Sequence, residues 1–201
     1  MGKFRAIWKH EVRQTNDIAR SLVETHKVAF GWKVFIPPLL INDYIRYRNR
    51  LRVLRKNLIF TKQLAFDAAK NIFQGKEHAW EIRRIEIKTQ EILDKEKKGF
   101  YTEKIRRKQS NEIEALINYY LDLMKTDQSR YQKMIKAIYP SKGNYLAFLN
   151  GLQKLEEEAI QAAITTMRKG TKKERREWFD KVRATTKNVR VAEVDKIYTD
   201  A

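Results

Sequence analysis

The sequence predicts an all-α protein, a single-domain bundle of about five to seven amphipathic helices, some of them long. Three observations predict it. The 201 residues hold only three prolines and seven glycines, two of the prolines side by side, so long stretches run without a breaker. Apolar positions recur at steps of three and four through most of the chain. Hydrophobic residues make up 42% against 34% charged, enough for a core in a chain long enough for one domain and short for two. The expected layout is a bundle over 1–185 with a helix hinge at 36–38, followed by a loosely docked tail over 186–201.

The first helix is expected from about Lys3 to Ala29. Phe4, Trp8, Thr15, Ile18, Leu22 and Ala29 share helical spacing, and Glu11 interrupts the stripe. The patch Gln14, Thr15, Asn16, Asp17 reads as a break or a solvated face. Pro37 and Pro38 push Ile36 and Pro37 toward extended geometry and stop that helix, while Pro38 suits the first turn of the next.

The second helix is expected from about Leu39 to Gln74, roughly 50 Å long. Its seam steps by four and three through Tyr47, Leu51, Leu54, Leu58, Thr61, Ala65, Ala68 and Ile72, a heptad pattern. A strand over Arg46 to Val53 would line the alternating arginines on one face, but it accounts for about ten residues where the seam accounts for the whole stretch. The seam is read first as packing within the molecule, since bundles use the same pattern, with a coiled coil to a second chain through 39–74 as the alternative. Gly75 supplies a C-terminal cap.

A third helix over Glu77 to Lys98 places Ala79, Ile82, Ile85, Thr89 and Ile92 on one stripe, with Lys95, Lys97 and Lys98 at its negative end before Gly99. The fourth begins basic at Lys104, Arg106, Arg107 and Lys108 and turns apolar from Ile113 to Met124. A short piece carries Tyr131, Met134, Ile135 and Ile138 and stops at Pro140. Ser141-Lys142-Gly143-Asn144 reads as a turn. Leu149, Leu152, Leu155, Ala159, Ala163 and Met167 outline a long sixth helix ended by Gly170. Thr171 and Glu174 form a capping box for a last one through Trp178, Phe179 and Val182, whose pattern weakens after Thr185.

Lysine and arginine total 43 against 25 acidic residues, a net charge of +18, which favours polyanionic partners without naming one. Residues 1–75 hold 15 of the bases and 5 of the acids, a net +10 in the first third of the chain. No cysteine is present, which excludes disulfides, thiolate metal sites and a cysteine nucleophile. The start, MGKFRAIWKHEVR, has no uncharged hydrophobic region and no serine or threonine at position six, so neither a secretory signal nor a myristoylation signal is read. A cytoplasmic location, with the inner face of the membrane as the place of work, is the expectation. The longest apolar run, Val28 to Ile41, contains Lys33 and falls short of a spanning length.

No catalytic motif is found, and an enzyme is not expected. His10, His26 and His78 lack partners at metal-ligand spacing, and no phosphate loop or nucleophile elbow occurs. Glu156, Glu157 and Glu158 diverge by about 100° each on a helix, so they read as a solvated face. No cofactor or metal is expected.

The distinctive stretch is Val28 to Phe73, greasy at its start, then basic through Lys56 and then amphipathic. Phe30, Trp32 and Phe35 suit headgroup depth, and Arg46, Arg48, Arg50, Arg52, Arg55 and Lys56 suit an anionic lipid surface. Peripheral association with such a surface through 28–56 is the preferred reading, because it uses both halves. Two alternatives stand beside it. The same bases, with Lys104 to Lys108 and Lys172 to Arg176, suit nucleic acid bound with weak sequence selectivity. A helical scaffold for an acidic protein partner, or a homo-oligomer through 39–74, fits the same charge, and the apolar run also has the length of a buried core segment.

Overall fold

Pro37 stands as the first helical residue of a helix of 37 residues, where its fixed φ is already helical and its missing N–H leaves no bond unmade. The structure, a computed structural model, describes residues 2–24, 37–95, 101–166 and 171–199, with side chains described there except at 24, 37–50, 53, 54 and 57. These residues form α1 (Gly2–Glu24), α2 (Pro37–Phe73), α3 (His78–Lys95), α4 (Glu103–Lys125), α5 (Tyr131–Ile138), α6 (Lys142–Thr165) and α7 (Lys172–Thr199). Seven helices and no strand among the described residues make an all-α bundle, a single helix-packed domain. The basic run of α2 is helical, so the strand alternative for it falls.

The helix ends follow local chemistry. α2 stops at Gly75, whose φ of 96° lies in the left-handed region, with Gly75 N–H donating to Ile72 and Lys76 N–H to Asn71, a Schellman closure. Thr171 and Glu174 bond reciprocally at the start of α7, as the capping box requires, and those bonds hold the Glu174 carboxyl below its usual range. The expected turn at Ser141 to Asn144 is corrected. Ser141 is an N-cap whose Oγ accepts from Asn144 N–H at 3.1 Å, and Lys142 onward is helix. Ser141→Ala is expected to cost about 1 kcal/mol, seen as a fall in Tm of about 2–4 °C; an unchanged Tm would show that the cap carries nothing.

The expected tail is also corrected. α7 continues to Thr199 and buries Thr186, Arg190, Val194 and Ile197, positions four, four and three apart. The apolar positions are sparse because α7 presents only a narrow stripe. The patch in α1 is no break either, since the helix runs through it with Gln14 and Thr15 buried. The expected extension of the first helix over 25–29, and Phe30, Trp32, Phe35 and Ile36, lie outside the described residues.

Five helices close a ring: α1 packs on α2, α2 on α4, α4 on α6, α6 on α7, and α7 back on α1. α3 lies against α2 and α4, and α5 touches α4, α1 and α7. The lower part of the α2 seam is spent inside this ring, with Ala65 and Ala68 fully buried and Thr61 nearly so.

The ring is stratified. At one end a large core joins Ile7 of α1, Leu64 to Ala69 of α2, Ile113 to Met124 of α4, Tyr145 to Leu152 of α6, and Val194 and Ile197 of α7. At the other end a small cluster joins Ile18 and Leu22 to Val182, with Leu58, Ile160 and Val189 packed on it. Between the two, each ring helix contributes polar side chains. The order of these levels along the sequence shows α1 and α6 running one way and α2, α4 and α7 the other, with α3 as the return connection between the co-directional α2 and α4.

Candidate functional site

The level between the two apolar clusters is polar on every ring helix: His10, Glu11, Gln14 and Thr15 on α1; Thr61 and Lys62 on α2; Gln109 and Glu112 on α4; Gln153 and Glu156 on α6; Thr186 and Arg190 on α7. Buried polar groups must find partners, and most here do so across helices. Lys62 Nζ donates to Glu11 Oε2 at 2.7 Å and to Gln14 Oε1 at 3.2 Å. Gln14 passes the chain on, donating from Nε2 to Glu193 Oε2 at 2.6 Å, while His10 Nε2 meets Glu193 Oε1. Burial pushes the Glu193 carboxyl up, but the bonds from His10 and Gln14 and the charge of Arg13 outweigh it and hold the group below its usual range.

The His10 ring also stacks on Tyr131, ring centroids 3.6 Å apart. Tyr131 joins Tyr119 and Tyr145 in a triangle of buried hydroxyls, with oxygens 3.1 Å apart from Tyr131 to Tyr145 and 3.3 Å from Tyr119 to Tyr145. Burial pushes all three phenols up, so they stay neutral.

On the far side of the ring, Arg190 is 3% exposed and donates from Nη2 to Glu156 Oε1 at 2.6 Å. Glu112 completes the level. Burial first, and the neighbouring Glu156 second, push its carboxyl up to about 8 against the pull of Lys62 and Arg190. At neutral pH it is mostly an uncharged acid.

This polar level is the floor of a cavity of about 470 Å³. Lys62, Glu112, Glu156 and Arg190 lie on the floor with Thr15 and Thr61, and the walls are the small apolar cluster extended by Ile105, Ala163 and Ile164. Trp178, 41% exposed, stands on its lining from α7. The size and composition are those of a small-molecule site, apolar walls with a few convergent polar groups.

None of these groups was among the candidate residues drawn from sequence. The solvated face assigned to Glu156, Glu157 and Glu158 holds for Glu158 alone. Glu156 is bonded to Arg190, and the half-buried Glu157 meets Arg183 at 3.1 Å. Another buried acid, Glu81 on α3, is held by Asn71 at 3.0 Å and by Arg84 at 2.6 Å, and it pins α3 to the end of α2. Ile92, expected on the buried stripe of α3, is exposed.

The candidates themselves fall in three groups. Phe30, Trp32 and Phe35 lie outside the described residues, and Arg46, Arg48 and Arg50 lie on α2 at positions whose side chains are not described. On a helix, positions 46 and 50, four apart, share a face, and position 48 falls on the opposite one. Arg52, Arg55 and Lys56 are exposed and come together. With Trp8 and Val12 of α1 and Ile59 of α2 they line a groove of about 360 Å³ between the two helices, and no carboxylate among the described residues lines it. Arg55 and Lys56 form no ion pair among the described residues. Among those residues there is also no group of three or more His, Asp or Glu placed to hold a metal ion, and no helix long and apolar enough to cross a membrane. The chain matches no protein-family model, no curated protein and no solved structure.

Proposed function

We propose that the chain is a non-enzymatic binding protein that docks peripherally on an anionic membrane surface through 28–56. The observation that carries this reading is the groove between α1 and α2, where the apolar Trp8, Val12 and Ile59 stand beside the uncharged Thr15, Asn16 and Gln63, and the charged groups among the described residues are all bases, Arg52, Arg55 and Lys56. Between Asp43 and Asp67 the chain has seven bases and no acid, so the stretch of α2 that carries the rim is uniformly basic in sequence. A surface of headgroup phosphates above acyl chains offers the complementary pair of chemistries.

Charge alone supplies about 1 kcal/mol per base near such a surface. Three rim bases therefore give weak, salt-sensitive docking, and lasting attachment needs the apolar term as well. Co-sedimentation with neutral and with phosphatidylserine-containing vesicles, at low and high salt, tests both terms. Binding is expected to the anionic vesicles, falling by about tenfold or more in Arg55→Glu/Lys56→Glu, with a salt-resistant fraction that disappears in Trp32→Ala/Phe35→Ala. Binding that vanishes in salt and is competed away by duplex DNA or RNA would overturn the membrane reading in favour of nucleic acid.

A further inference from the structure

We propose that the cavity enclosed by α1, α2, α4, α6 and α7 is a binding site for a small anionic amphiphile, a single-chain monocarboxylate, with its head at Arg190 and Glu112 and its body among Ile18, Leu58, Ile160 and Trp178. This site shares no base with the groove between α1 and α2, and the proposal stands independently of membrane docking.

The free hydrogen-bonding capacity of the floor sets the charge of the head. Lys62 is committed to Glu11 and Gln14, and Gln109 donates to Thr61 at 2.9 Å. Arg190 spends only Nη2, on Glu156; its Nε and Nη1 have no partner among the described residues, and neither does the hydroxyl of Thr15. Each such buried donor left unmade costs about 1–3 kcal/mol. Glu112, an acid that keeps its proton to about pH 8, adds one more O–H. Apart from the second oxygen of Glu156, the unpartnered groups on the floor are donors or hydroxyls, and the two open N–H positions of Arg190 call for a ligand head that accepts. A carboxylate does so with two oxygens, and against Arg190 it makes charge-assisted bonds. An ammonium head could bond to Glu156 but would leave Nε and Nη1 of Arg190 unmade.

The groups facing Glu112 fix how binding depends on pH. Glu156 faces it from α6, Lys62 from α2 and Arg190 from α7, while Glu11 of α1 reaches the site through Lys62. When Glu112 ionises, it becomes a second negative charge beside Glu156 and competes with the ligand for Arg190. Affinity for an anion then falls as pH rises through about 8, and affinity for a cation would rise.

The experiment is calorimetric titration of the full chain with decanoate, decanol and decylammonium, each below its aggregation threshold and at a salt concentration that suppresses surface binding. Expected is one saturable decanoate site per chain, about tenfold or more tighter than for the other two, weakening from neutral to alkaline pH. Glu112→Gln is expected to abolish that pH dependence, and Ala163→Phe, which fills the cavity, to abolish binding while the far-UV circular dichroism stays that of the parent. Arg55→Glu/Lys56→Glu should leave decanoate binding intact, which separates this site from the vesicle surface. Decanol binding as tightly as decanoate, a preference for decylammonium, unchanged binding in Ala163→Phe, or no saturable site for any of the three would each overturn the proposal.

Discussion

Lys62→Met is expected to lower the unfolding free energy by about 3–5 kcal/mol, among the largest losses any single substitution in this chain should cause. The lysine is buried, 6% exposed, at the floor of the cavity. Glu11, its partner at 2.7 Å, is 4% exposed, and the remaining acceptor of Lys62 is Gln14. Methionine matches the volume of the stem but carries no charge, so Glu11 is left as an uncompensated buried carboxylate. The cost is that of the stranded charge and not the net worth of the pair. Glu11→Leu/Lys62→Met removes both ends, and much of the loss is expected to return, because a buried pair replaced by apolar groups of similar size is often neutral. Urea unfolding followed by circular dichroism measures all three proteins, with an unchanged m-value showing that only stability moved. A single variant within about 1 kcal/mol of the parent would show that Glu11 does not depend on Lys62.

The same pair shows how far the sequence could be read. Helix existence was legible because it rests on local signals: the apolar spacing, Thr171 with Glu174, Gly75, and the proline pair that opens α2. The extent of α7 was not, because Arg190 occupies a stripe position that reads as polar and exposed until Glu156 is found beside it, 34 residues earlier. Ser141 was misread for a related reason. Serine, glycine and asparagine serve turns and helix starts alike, and the choice is made by what the following residues pack on.

The polar level was present in the pattern as isolated faults. Glu11 breaks the stripe of α1, Thr61 breaks the seam of α2, and Glu156 stands between the apolar stretch of α6 that ends at Leu152 and the one that begins at Ile160. Each fault taken alone resembles a solvated position. Periodicity within one helix gives the face of a residue but not its height in the bundle, and it was height that brought these side chains together. Once the helix directions are known, the faults align at one level of the ring. Interruptions from several helices at one level are a buried network and the floor of a cavity, where one interruption is a local cost.

The second large effect concerns Glu112 and pH. In the unfolded chain this carboxyl titrates near its ordinary value of 4.5, and in the folded chain near 8. Between those values the folded state holds the proton that the unfolded state has released. Raising the pH through that window therefore removes stability: the contribution of the protonated group is complete below about 4.5 and gone above about 8. Glu193 acts in the opposite sense, since its folded carboxyl is held below the usual range and its contribution is lost as the pH falls through that lower value. The parent protein should be most stable in mildly acid solution and lose on the order of a few kcal/mol toward pH 8. Glu112→Gln keeps the shape and a donor but has no proton to lose, so its alkaline limb should be nearly flat and it should be the more stable protein at pH 8. Urea midpoints taken from acid to alkaline pH would show this as two curves that diverge upward from about 4.5. Parallel curves would mean that Glu112 is ionised in the folded state, and the donor-rich floor inferred for the cavity would fall with it.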